Sequence, residues 1–73
     1  MSKNIHIVPD NGQWSTKVQG VKTPLKTFKT QASAISHGKK IARGLSSELI
    51  IHRRNGQIRE RNSYGSDPYP PVG

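Results

Sequence analysis

Glu48-Leu49-Ile50-Ile51-His52-Arg53-Arg54-Asn55-Gly56-Gln57-Ile58-Arg59-Glu60-Arg61-Asn62 is the stretch that decides the fold. Its first half is apolar and holds two adjacent isoleucines, as a buried strand does. Its middle is Asn-Gly, the strongest short hairpin signal, which favours a type I′ turn. The reading is two strands, 48–53 and 57–62, with Asn55-Gly56 at the tip. That turn sets the register: Arg53 opposes Ile58, His52 opposes Arg59, Ile51 opposes Glu60 and Ile50 opposes Arg61. Directly opposed residues share a face. One face then carries Leu49, Ile51, Arg53, Ile58 and Glu60, and the other carries Ile50, His52, Arg54, Arg59 and Arg61.

The same logic works outward to the start of the chain. Residues 4–8 and 13–19 alternate around Asp10-Asn11-Gly12, whose residues tolerate positive φ. Ile5, Ile7, Trp14, Thr16 and Val18 fall on one side of this first hairpin, and His6, Val8, Ser15 and Lys17 on the other. Gly20 and Pro24 punctuate residues 20–29, where Leu25–Phe28 fit a loop and a short third strand equally well. Thr30 is the expected N-cap of a helix over about 31–44. At 100° per residue, Ala34, Ile35, Gly38, Ile41, Ala42 and Leu45 share an arc of about 120°. Gly38 lies on that arc and permits close approach to the sheet, beside Trp14 in this reading. Gly44 is the expected residue just past the helix, with Lys40 and Arg43 suiting its negative end. The expected fold is a single α+β domain, β-β-α-β-β, with an antiparallel sheet covered on one face by one helix. Residues 1–62 form the compact domain. Residues 63–73 read as an extended tail, because three of the chain's 5 prolines lie there, with Tyr64 folded back onto the hairpin.

Composition narrows the functions. The chain has 73 residues, of which 30% are hydrophobic and none is cysteine. A domain of this size buries only about 60% of its unfolded surface, so a monomer and a homodimer are both compatible. No apolar run reaches the roughly 18 residues of a membrane span, and the start lacks the apolar core of a signal peptide. Twelve Lys and Arg against 4 Asp and Glu give a formal net charge of +8. Such an excess attracts polyanions at long range, and nucleic acid is the commonest of them. An anionic membrane surface ranks lower, because the helix offers mainly Ala and Ile on its apolar side.

Catalytic and metal chemistry find no footing in the sequence. Asp10 belongs to a turn, Glu48 opens a strand, Glu60 opposes Ile51, and Asp67 precedes Pro68 in the tail. There are no paired carboxylates, no nucleophile elbow and no phosphate-cradling glycine loop. His6, His37 and His52 have no H-x-x-x-H spacing and lie among cations, so no metal and no cofactor are expected. The chain does not read as an enzyme.

What remains is the open face of the sheet. If both hairpins join one sheet, this face gathers His6, Lys17, His52, Arg54, Arg59 and Arg61. We take Lys17, His52, Arg54, Arg59 and Arg61, with helix residues Lys39, Lys40 and Arg43, as the candidate nucleic-acid contacts. The face shows no aromatic residue, which favours phosphate contacts with low sequence specificity, to DNA before RNA. The bland reading is a solvated face whose arginines are neutralised by Glu48 or Glu60. A further reading is an interaction module that meets an acidic surface on a host protein.

Several stretches also resemble a known family. They are Ile5-His6-Ile7-Val8-Pro9 with Gly12-Gln13-Trp14-Ser15-Thr16-Lys17, Thr30-Gln31-Ala32-Ser33-Ala34, Ile41-Ala42-Arg43, Ser47 through Arg53, Asn55 through Arg61, and Ser63 through Pro68. Together they resemble a family of small bacterial and phage proteins, domain of unknown function number 2188. Such relatives often carry Glu in the third helical position, where this chain has Ser33, and so it lacks the carboxylate of a capping box. The resemblance implies one compact α+β domain of bacterial or phage origin in the cytoplasm. It implies no catalytic residues.

Overall fold

The computed structural model describes residues 3–64. Its six elements are, in chain order, β1 (Ile5–Asp10), β2 (Gln13–Val18), β3 (Lys26–Phe28), α1 (Gln31–Leu45), β4 (Glu48–His52) and β5 (Ile58–Ser63). They build one five-stranded sheet in the order β3-β2-β1-β4-β5, with α1 packed on one face. The α+β class and the single covering helix agree with the sequence, and the stretch after Pro24 does form the short strand β3.

The sheet is mixed rather than wholly antiparallel. Each hairpin is antiparallel, but β1 and β4 run parallel, with Ile5 beside Leu49, His6 beside Ile50 and Ile7 beside Ile51. The cause is the connection. Parallel neighbours need a long crossover, and α1 supplies it between β3 and β4. Turn chemistry fixes pairing only within a hairpin, so it could not have shown how the two hairpins meet.

The first hairpin turns at Asn11-Gly12 with the positive φ expected there, 51° and 80°, which is the type I′ arrangement. The second departs from it. The N–H of Gly56 donates to the Arg53 carbonyl at 2.8 Å, and the N–H of Arg53 donates to the Gln57 carbonyl at 2.6 Å. This is a three-residue loop, Arg54-Asn55-Gly56, with Gly56 alone in the left-handed region at φ 93°. Asn55 favours it by accepting the Gln57 N–H on its side-chain oxygen at 3.0 Å. The register shifts immediately beyond the loop: Ile51 still opposes Glu60, but His52 opposes Ile58. Arg59 is the extra residue of this β-bulge.

Thr30 caps α1 as expected, its hydroxyl accepting the Ser33 N–H at 3.2 Å and donating to the Ser33 hydroxyl at 3.0 Å. Ser33 thus gives the cap a second hydrogen bond although it is no carboxylate. The far end differs from expectation. The helix continues through Gly44 to Leu45, and Ser46 is the left-handed cap at φ 53°. Its N–H reaches the carbonyls of Ala42 and Arg43.

Ile5, Ile7, Trp14, Ala34, Ala42, Leu49 and Ile51 form the core, with Val18, Phe28, Ile35, Ile41 and Tyr64 packed against it. Gly38 does bring the helix close, but over Ile7 and Leu49 rather than Trp14. A Cβ there would stand 2.8 Å from the Cδ1 atoms of both. Tyr64 folds back as expected: its N–H donates to the Ser47 carbonyl at 3.0 Å, and Arg43 stands over its ring at 5.5 Å. The rest of the expected tail, with Tyr69 and Pro70-Pro71, lies outside the described residues.

The two glycines of α1 should respond oppositely to substitution. Gly44 has helical φ and open space around its Cα, so Gly44→Ala should stabilise the protein by about 1 kcal/mol. Gly38→Val should destabilise it by about 1–3 kcal/mol, because Ile7 and Leu49 are fully buried and have no room to retreat. Urea unfolding of both variants checks the pair, and equal shifts would contradict the packing described.

Candidate nucleic-acid interface

Strand alternation puts Lys17, His6, Ile50 and Arg61 in one row across the open face, each beside the next in register. His52 stands diagonally across from His6. The two imidazoles stack with centroids 5.2 Å apart and an interplanar angle of 27°. His6 Nδ1 lies 2.9 Å from His52 Nε2, and His52 Nδ1 lies 3.2 Å from the Gly56 carbonyl. A carbonyl only accepts, so Nδ1 of His52 carries hydrogen. In neutral His52 the Nε2 lone pair then accepts from His6 Nδ1–H. Burial holds the His6 pKa below its ordinary value, and His52, Lys17 and Arg61 push the same way, against a hydrogen bond with the Gln19 side chain that favours the protonated ring. A cavity of about 220 Å³ opens here between the pair, Lys17 and the valines Val8, Val18 and Val21.

Charge on this face is partly compensated. Arg61 Nε lies 3.8 Å from Glu48 Oε1, an exposed pair of small energetic worth. Ile50, though on the open face, is only 5% exposed, so it forms no apolar patch with Val8.

Arg54 and Arg59 are not on this face, which corrects the expected clustering. The three-residue loop and the bulge carry both to the helix side. There, Arg53, Arg54 and Arg59 line a cleft of about 330 Å³ with Trp14 and Gln31. Arg59 Nη1 donates to Gln31 Oε1 at 2.6 Å, and Gln31 Nε2 donates to the His52 carbonyl at 2.9 Å. Gln31, the first residue of α1, therefore ties the helix start to both strands of the second hairpin. The guanidinium carbon of Arg54 lies 5.9 Å from the centre of the Trp14 ring, a cation–π arrangement. Among the described residues no carboxylate lines the cleft. Asp10 accepts from Ser15 at 2.7 Å, Glu48 faces Arg61, and Glu60 accepts from Asn62 at 3.1 Å.

Lys39, Lys40 and Arg43 are exposed on α1, on the side of the sheet opposite to Lys17 and Arg61. The eight candidate residues thus divide into three groups: Lys17, His52 and Arg61 on the open face, Arg54 and Arg59 in the cleft, and the helix cations apart from both. Sequence reasoning missed Arg53, Trp14 and Gln31 as partners of the cleft. A signal existed for Arg53, since the hairpin register placed this cation on the core-facing side with Leu49, Ile51 and Ile58. Nothing in the sequence marks Gln31. His37 has a packing role: its Nδ1 is 3.1 Å from the Thr16 hydroxyl, and its ring tilts against Phe28. Among the described residues, no three His, Cys, Asp or Glu come together as a metal set.

Comparison with known proteins gives one family and one relative. The family described as an uncharacterized protein conserved in bacteria, DUF2188, matches residues 5–64. The uncharacterized protein YdaT of Bacillus subtilis (strain 168) is 29% identical over 66 residues, which cover 90% of this chain and 44% of that protein. The chain therefore spans less than half the length of that relative. No solved structure matches.

The histidines set the sign of the pH dependence. Burial lowers the pKa of His37 as well, with Lys26 and Lys40 adding to it. In the unfolded chain both imidazoles take a proton near their ordinary pKa of 6.5, before the folded protein does. The unfolded state thus binds more protons below that pH, and stability falls as the solution is acidified through it. The urea midpoint should drop between pH 7.5 and pH 5.5, and His6→Gln should shallow the drop. A midpoint that rises on acidification would contradict the buried, neutral imidazoles.

Proposed function

The chain belongs to the bacterial DUF2188 family, and for it we propose a nucleic-acid-binding function in the cytoplasm, made mainly through phosphates and with low sequence specificity. One observation carries the reading: three arginines converge on a cleft that has no carboxylate among its described lining residues. Uncompensated guanidinium groups in a concavity are matched to phosphate, which they can meet with two parallel hydrogen bonds. Arg59 is held in place by Gln31, so less side-chain freedom is lost when an anion arrives. The chain's net charge of +8 steers polyanions toward it. Lys17 and Arg61 on the open face add to that field, as do Lys39 and Lys40 on the helix.

Binding should be measured by titrating fluorescent DNA and RNA at several salt concentrations. Each phosphate contact contributes about 0.9 to the slope of log K against log salt on duplex DNA. The double variant Arg54→Ala, Arg59→Ala should weaken binding and lower the slope by about 1–2. Lys39→Ala with Lys40→Ala removes the same charge from the helix and should change the slope less. Equal effects of the two double variants would remove the cleft as the contact. Absence of binding by the unaltered protein at low salt would overturn the reading and favour an acidic protein surface as partner.

A further inference from the structure

We propose that the cleft beside Trp14 takes one unpaired nucleotide of a single strand, with the base stacked on the Arg54 guanidinium and its phosphate held by Arg53 and Arg59. This rests on the nucleic-acid reading above and names the form of nucleic acid that fits the cleft.

The geometry behind it is a layered one. Trp14 is 6% exposed, packed into the core and paired across the strands with Pro9 and Phe28. Its ring is therefore a fixed floor. Arg54 is exposed and lies over that floor at 5.9 Å. A guanidinium is planar, and Arg54, exposed at the cleft, has a flat face to present to a second flat partner. Bases stack on arginine planes as they do on aromatic rings, and every base has such a face. Stacking of this kind is sequence-tolerant, in keeping with low specificity.

Size and charge point the same way. A volume of about 330 Å³ is at the lower end of the range for small-molecule sites. It suits one base with its phosphate. Bases within a duplex keep their faces against their neighbours and cannot reach Arg54, whereas an unpaired base can. Arg53 and Arg59 remain for the phosphate, and the Gln31 amide holds Arg59 at 2.6 Å. The 220 Å³ cavity at His6 and His52 has no arginine in its described lining and so no guanidinium plane for a base.

The chain's 1 tryptophan is Trp14, so its fluorescence reports on this cleft. The full chain would be titrated with a short single-stranded DNA, with the duplex of the same sequence, and with inorganic tripolyphosphate, which has charge but no base. The unaltered protein should bind the single strand about five- to tenfold more tightly than the duplex, with a change in Trp14 emission that tripolyphosphate does not reproduce. Arg54→Lys keeps the charge and loses the plane. It should lose that preference, its single-strand and duplex affinities coming within about twofold of each other. Three results would overturn the stacking proposal: an unchanged preference in Arg54→Lys, a preference for duplex, or the same emission change with tripolyphosphate. In each of these, salt-dependent binding would leave the phosphate reading standing. Failure to bind any of the three ligands would overturn both.

Discussion

The bare Cα of Gly38 lets α1 lie directly on Ile7 and Leu49, and the rest of the domain depends on that approach. Ile7 belongs to β1 and Leu49 to β4, so the helix presses on the parallel junction that joins two separate hairpins. A sheet so small has little apolar surface to bury. Fully buried Ile5, Ile7, Leu49 and Ala42 do most of it, and each lies on or against this junction. A larger residue at position 38 would lift the helix from the seam. The packing that reinforces the pairing of the cation-bearing second hairpin with the first would then weaken, and Gln31 would be drawn away from His52 and Arg59.

Much of this was legible in the sequence, and the boundary of what was legible has a physical basis. The turn at Asn11-Gly12, the Thr30 cap, the core side of β1 and β2 and the covering helix all derive from residues close together in the chain. The β1–β4 pairing does not, since nothing local records which strand of one hairpin meets which strand of the other. The second hairpin is instructive because one residue of register decides where its cations lie. Asn55-Gly56 announces a turn, but Gly at positive φ serves a three-residue loop as well as a two-residue one. The side chain of Asn55 bonding to Gln57 tips the balance. That choice and the bulge at Arg59 move two of the eight candidate contacts from the open face to the helix side. A charge excess is visible in composition; the face on which it collects is not.

Gln31 illustrates how a polar side chain at a helix start can organise a surface. Its amide uses a donor on a strand carbonyl and its acceptor on a guanidinium, so each end of one group is satisfied by a different strand of the hairpin. The His6–His52 pair makes a comparable link on the opposite side of the sheet, from β1 through β4 to the Gly56 carbonyl. The tip of the second hairpin is thereby fastened from both faces. Loops that carry cations at the end of a two-stranded ribbon are ordinarily the most mobile part of a sheet. Here the arginines project from an anchored one.

The position of Trp14 bears on how such a domain can diverge. The indole belongs to the core and also lines the cleft, 5.9 Å from the Arg54 guanidinium. A substitution that retunes the cleft from below therefore also changes the packing of a domain with little stability to spare. Arg53, Arg54 and Arg59 carry no such double duty, being exposed and outside the core. Variation in what the cleft accepts is thus channelled into the rim, where a new side chain costs the fold little, while the floor is held by the demands of folding itself.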